Sequence, residues 1–140
     1  MYTHKTTLRL RDTDAAGVIY FANIFDLAHE AFEAFMESVG MDIGVILRST
    51  HYDLPVVHAE ADYRKPIFPG DRLRIHVSNE RLGDTSFTLV YRIHNTDDEE
   101  VAEVRITHVV MDRKEGLKKA VTEELRLALD QLKSTPPPRA

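Results

Sequence analysis

The strongest constraint on the fold is a change of hydrophobic period partway along the chain. Ile24, Leu27, Ala28, Ala31, Phe32, Phe35 and Val39 recur at intervals of three or four residues, the period of one helix face. Asp26, Glu30, Glu33 and Glu37 hold the same spacing on another face. The spacing predicts an amphipathic helix of about four turns, ended by Gly40. From Asp53 the period falls toward two. Val57, Ala59, Ala61 and Tyr63 share one side of an extended segment, with Val56, His58, Glu60 and Asp62 on the other. Leu73, Ile75 and Val77 alternate with Arg72, Arg74 and His76; Phe87, Leu89, Tyr91 and Ile93 alternate with Thr88, Val90 and Arg92; a last strand is expected over 101–111. The connections around 82–84 and 95–98 are too short for a crossover helix, so these strands pair antiparallel. Leu8 and Leu10 suggest a short strand over 3–11, and Leu125, Leu129 and Leu132 a terminal helix over 121–132. The result is an α+β arrangement in which one long helix lies against the concave face of a curled antiparallel sheet.

The 140 residues suffice for one core, so a single domain over 1–133 is expected, followed by a Pro-rich tail over 134–140 that cannot extend the helix. A net charge of -5 gives no general attraction to nucleic acid or to an anionic membrane. The absence of Cys excludes a thiolate nucleophile and Cys-based metal sites. No signal peptide or run of apolar residues long enough for a bilayer is visible, so a cytoplasmic chain with no membrane span is expected. There is no His-Glu-x-x-His, no Gly-rich phosphate loop and no Gly-x-Ser-x-Gly elbow; neither a metal nor a cofactor is expected.

Chemistry concentrates at Asp12-x-Asp14-Ala15-x-Gly17-x-x-Tyr20-Phe21, between the first strand and the long helix. Two readings are open. Asp12 or Asp14 can simply cap the helix. Alternatively, a carboxylate stands ready as nucleophile or general base beside the unpartnered first N–H groups of the helix, which polarise a carbonyl; together these are two parts of an acyl-transfer site. Gly17 would allow a ligand close to the backbone.

The run Asp12-Thr13-Asp14-Ala15-Ala16-Gly17-Val18-Ile19-Tyr20-Phe21-Ala22-Asn23 resembles the signature of the hotdog-fold acyl-CoA thioesterases of the 4-hydroxybenzoyl-CoA thioesterase type. The likeness continues through His29-Glu30-Ala31-Phe32-Glu33, Leu54-Pro55-Val56-Val57-His58-Ala59, Gly70-Asp71-Arg72-Leu73 and Thr107-His108-Val109. These later segments are most similar to the branch acting on 1,4-dihydroxy-2-naphthoyl-CoA in menaquinone and phylloquinone biosynthesis. The resemblance implies a hotdog fold with an extra C-terminal helix and hydrolysis of an aromatic acyl-CoA without a cofactor. By position, Asp14 matches the catalytic carboxylate and Phe21 the residue whose backbone N–H polarises the thioester carbonyl, with Gly17 and Tyr20 shaping the same turn and Asp12 structural. It also implies a homodimer with sites at the subunit interface, pairing again into a homotetramer.

Other residues carry smaller expectations. His58 could hydrogen-bond an aryl hydroxyl or orient water, or be structural. Glu30 falls in the acidic stripe, where a solvated or interface role is expected; His108 is read as packing. Arg64 and Lys65, or Arg113 and Lys114, could meet the phosphates of coenzyme A. Competing functions are a short-chain or benzoyl-type thioesterase, a hotdog dehydratase using His58 or His29, and a non-catalytic acyl-CoA-binding domain.

Overall fold

The computed structural model describes residues 1–49 and 52–132; the tail expected over 134–140 lies outside them. Strand β1 (Tyr2–Thr7) is followed by a 3-10 turn (Leu10–Asp12), the long helix α1 (Asn23–Ser38) and a short helix α2 (Ile43–Ser49). Then come β2 (Tyr52–Asp53), β3 (Val56–Tyr63), β4 (Arg72–Leu82), β5 (Ser86–His94), β6 (Glu100–Val109), β7 (Met111–Asp112) and α3 (Glu123–Asp130). The main sheet is antiparallel in the order β1-β4-β5-β6-β3, and β2 pairs with β7.

Residues directly opposite in an antiparallel sheet share a face, so the register sorts the side chains. Tyr2, Val77, Tyr91, Val104 and Ala61 form one row across all five strands, and His4, Ile75, Ile93, Ala102 and Tyr63 another. The central members of both rows are fully buried. Against them lies the apolar face of α1: Ile24, Leu27, Ala28, Ala31, Phe32, Phe35 and Met36. Removing each large side chain of this set from water stabilises the fold by about 1.5–3 kcal/mol. The intervening row, Thr3, His76, Arg92, Glu103 and Asp62, faces away from this core. Burial pushes the Glu103 carboxyl up, but hydrogen bonds from Arg92 (2.9 Å) and Arg105 (2.5 Å) outweigh it and hold the group below its ordinary range.

The helix ends as its sequence predicts. Gly40 has φ +77°, its N–H reaches the Glu37 carbonyl at 3.0 Å, and Met41 N–H reaches the Met36 carbonyl at 2.8 Å, the pair of bonds that closes a helix on a left-handed residue. Two expectations need correcting. The first strand stops at Thr7, because the chain turns into the 3-10 segment; Leu8 is buried while Leu10 is 78% exposed. Helix α2 lies where no element is expected. Strand β3 is exposed on both faces, with only Ala61 partly covered, since it is the sheet's edge. The C-terminal helix α3 packs its buried Leu125, Ala128 and Leu129 on the core. Asn79 N–H and Nδ2 bond the carbonyls of Leu132 and Leu129.

Candidate active site

The loop before α1 is folded by its own small and polar residues. Thr13 and Ile19 form an antiparallel bridge that closes a tight turn. Inside it Asp14 N–H donates to Val18 carbonyl (2.9 Å), Gly17 N–H to Asp14 carbonyl (3.0 Å), and Ala16 N–H to Asp14 Oδ1 (2.8 Å). Gly17 sits at φ +78°, and a Cβ there would meet nothing within 4 Å. Its positive φ calls for glycine. The Asp14 carboxylate is exposed.

Neither aspartate caps α1. Asp12 Oδ2 accepts the Arg9 N–H at 2.9 Å, holding the 3-10 turn, and its carbonyl accepts both Tyr20 N–H (2.8 Å) and Asn23 Nδ2 (3.0 Å). The residue in the N-cap position is Ala22, whose side chain has no acceptor. Asn23 N–H closes on the Tyr20 carbonyl at 2.9 Å, making 20–23 a turn whose two central N–H groups lie outside the bonded ring. Those groups, on Phe21 and Ala22, meet no acceptor among the described residues.

Phe21 is 63% exposed, and the Tyr20 ring lies 4.9 Å from it, centroid to centroid. With Val18, Ile19, Tyr63, Arg64, Lys65 and Pro66, Phe21 lines a surface depression of ≈ 330 Å³. Ile19 N–H on the Ile67 carbonyl (2.8 Å) ties the Asp14 loop to the 66–71 turn. Arg64 and Lys65 are fixed through their N–H groups on the Val101 carbonyl (2.8 and 3.2 Å). Their side chains pair with Glu100 (2.7 Å) and Glu99. The hydrogen bond that Arg64 Nε–H donates to the Glu100 carboxylate raises the guanidinium's pKa above its ordinary value. Both pairs are partly open to solvent and contribute little to stability.

The structure thus groups Asp14, Gly17, Tyr20 and Phe21 on one loop, with Arg64 and Lys65 across the depression from it. His58 stands apart. It pairs in register with Thr107, which pairs with Thr88, placing it on the sheet face turned away from α1. Its Nε2 meets Glu60 at 3.2 Å. Glu30 holds His4 Nε2 at 2.7 Å, and Arg113 pairs with Asp53 at 2.8 Å. His108 is 3% exposed and stacks between Phe32 and Phe87, both at 5.1 Å. Its Nδ1–H donates to the Leu54 carbonyl at 2.9 Å, and burial keeps the ring neutral by lowering its pKa. Sequence reasoning missed Tyr63, whose hydroxyl donates to the Phe21 carbonyl. The alternating pattern puts a tyrosine at the end of β3, but nothing local couples it to a residue 42 positions earlier.

The profile of the Thioesterase-like superfamily matches residues 8–129. The chain belongs to this superfamily. Among its relatives within the superfamily, 1,4-dihydroxy-2-naphthoyl-CoA hydrolase of Rippkaea orientalis is 35% identical over 137 residues, spanning 96% of this chain and 97% of that one. The enzyme of the same name from Synechococcus elongatus is 37% identical over 131 residues, covering 89% and 92%. The crystal structure of a 1,4-dihydroxy-2-naphthoyl-CoA thioesterase from Synechocystis superimposes with a TM-score of 0.88 at 28% identity, covering 94% of this chain and 96% of the other. The thioesterase-like chain therefore has the expected hotdog fold, the sheet curled around α1 and α3 added at the end.

Proposed function

We propose that this protein hydrolyses an aromatic acyl-CoA thioester, with 1,4-dihydroxy-2-naphthoyl-CoA as the preferred substrate, giving the free acid and coenzyme A. One observation carries the reading: two adjacent N–H groups, on Phe21 and Ala22, meet no acceptor among the described residues and lie on the same loop as the exposed Asp14. The thioester oxygen accepts from these donors as it gains charge. Asp14 attacks the carbonyl carbon or takes a proton from the attacking water. The C–S bond breaks, the thiolate leaves and is protonated by solvent, and water supplies the acid's second oxygen. A thiolate leaves readily, so neither a strong acid nor a cofactor or metal is required. Arg64 and Lys65 attract the coenzyme A phosphates at the mouth of the depression. Tyr20 and Phe21 offer ring faces to an aromatic acyl group. The two relatives described above support the naphthoyl substrate through the names they carry.

The working unit is a homodimer. Strand β3 is an eight-residue edge with Val56, Val57 and Tyr63 exposed at 42%, 58% and 43%. An edge with no partner strand on its outer side among the described residues can take a further strand. Pairing β3 antiparallel with its counterpart sets the start of one copy's strand beside the end of the other's, giving the depression near Tyr63 another wall. Two such dimers pair into a tetramer, and the absence of any helix long and apolar enough to cross a membrane among the described residues accords with activity in the cytoplasm.

A panel of aryl and alkyl CoA esters, with thiol release as readout, tests this function. Fastest release from the naphthoyl ester is expected. Preference for short-chain or benzoyl esters would overturn the substrate. Hydration of an enoyl-CoA, or saturable binding without turnover, would replace hydrolysis by the dehydratase or binding reading.

A further inference from the structure

We propose that Tyr63 is a positioning residue for the oxyanion donors, holding and polarising the peptide between Phe21 and Ala22 through the hydrogen bond it donates to the Phe21 carbonyl. The inference rests on the thioesterase reading above and deepens it. In a regular helix start the Phe21 carbonyl would take the N–H four residues on. Here Phe25 N–H goes to the Ala22 carbonyl at 3.3 Å, and Ile24 N–H reaches Phe21 oxygen only at 3.5 Å. The Phe21 oxygen is thus weakly held from within the helix, and the Tyr63 hydroxyl supplies its partner.

That oxygen belongs to the same planar peptide unit as the Ala22 N–H, one of the two free donors, and in a trans peptide the two groups point in opposite directions. A bond donated to the oxygen draws electron density across the amide and makes its N–H a stronger donor. It also fixes the plane of the peptide, and with it the direction of that N–H. Tyr63 is suited to this task by its support. It lies on the helix-facing side of the sheet, opposite Ala102, while the next residue is pinned to the Val101 carbonyl at 2.8 Å. Partial burial raises the phenol's pKa, which favours the protonated form that can donate. One end of β3 thereby sets the geometry of a loop 42 residues away in sequence.

The test is Tyr63→Phe, which retains the ring and removes the donor. With an aryl-CoA ester, kcat should fall roughly tenfold, less than the 10²–10³ that follows loss of a direct oxyanion donor, while KM and the melting temperature barely change. Replacing Tyr63 with mono- and difluorinated tyrosine, assayed below the fluorinated phenols' pKa, should raise kcat in the order of donor strength. An unchanged kcat in Tyr63→Phe, or a rise in KM alone, overturns the proposal; so does a lower kcat accompanied by a flat fluorotyrosine series, which would indicate packing. A readout independent of turnover separates this failure from failure of the thioesterase reading. The Ala22 amide proton in a nuclear magnetic resonance spectrum should move upfield in Tyr63→Phe, and an unmoved resonance refutes the polarisation whatever the enzyme hydrolyses.

Discussion

Replacing Asp14 by Asn separates the chemistry of this loop from its architecture. Asp14 Oδ1 accepts the Ala16 N–H at 2.8 Å, and its carbonyl accepts the Gly17 N–H at 3.0 Å. An amide keeps the Oδ1 acceptor and the backbone, and the side chain is exposed. No desolvation changes with the substitution, so the stability change should lie within about 0.5 kcal/mol. Turnover responds differently, because an amide is neither a base nor a competent nucleophile. Loss of a general base costs about 10²–10⁴ in rate, which is roughly 3–5 kcal/mol of barrier. Asp12→Ala is the matched control. It removes the Oδ2 acceptor from Arg9 N–H (2.9 Å), costing about 1 kcal/mol as for other lost turn and helix caps. The Asp12 carbonyl that holds Tyr20 and Asn23 remains, so turnover should stay within a few-fold. Thiol release and thermal melts on both variants give the comparison. An Asp14→Asn enzyme with near-normal turnover and an unchanged melt would refute the catalytic role of Asp14.

Tyr91 is fully buried and its hydroxyl has no partner among the described residues; Tyr91→Phe should therefore stabilise the fold by about 1 kcal/mol, visible as a rise of about 3 °C in Tm, and a clear loss would contradict it. Gly17→Ala meets no steric obstacle but forces alanine to φ +78°, so a loss of about 1–2 kcal/mol in urea titrations is expected, from backbone conformation alone. His108 makes stability depend on pH: burial lowers its folded pKa below the unfolded value, so the unfolded chain binds the proton more readily. Its contribution is complete above the unfolded pKa of about 6.5 and is lost as pH falls toward the folded value. Urea midpoints across this window should drop with acid more steeply in the wild type than in His108→Gln, and equal slopes would remove His108 from the account.

What the sequence disclosed follows from how local each signal is. The α1 face and its Gly40 stop are set by residues within a few turns of one another, and both appear as expected. The limit of β1 was not readable, because Leu8 and Leu10 share the strand period and only tertiary packing decides that one is buried and the other 78% exposed. Helix α2 has seven residues, with Ile46 buried but Val45 and Leu47 exposed at 50% and 46%; so short a segment has no period of its own to recognise. In β3 the alternation holds from His58 to Tyr63, but a register shift between Val56 and His58 breaks it at the start of the strand, and the edge position exposes both faces. For the site, the Asp14 loop stands out in the residues themselves, while the donor role proposed for Phe21 comes from family resemblance. The link from Tyr63 to Phe21 depends on the strand order, which no local pattern encodes.

The uncapped start of α1 supplies the physical reason for preferring chemistry over structure at this loop. Two aspartates and a threonine precede the helix, any of which is a favourable cap, yet alanine occupies the N-cap position. Asp12 turns back to Arg9 and Asp14 to Ala16, so the loop satisfies its own amides and leaves those of Phe21 and Ala22 unspent. A side-chain acceptor for those two groups would add about 1 kcal/mol to stability and, in the proposed mechanism, put an oxygen where the thioester carbonyl sits. Forgoing it is unfavourable for folding alone. It becomes favourable when the N–H groups gain a stronger partner in the transition state than in the free protein, since only that difference accelerates a reaction. The same reasoning explains the indirect support. The peptides that carry these donors are held within the loop by the Asp12 carbonyl, which takes Tyr20 N–H and Asn23 Nδ2, and from outside it by Tyr63 at the end of β3.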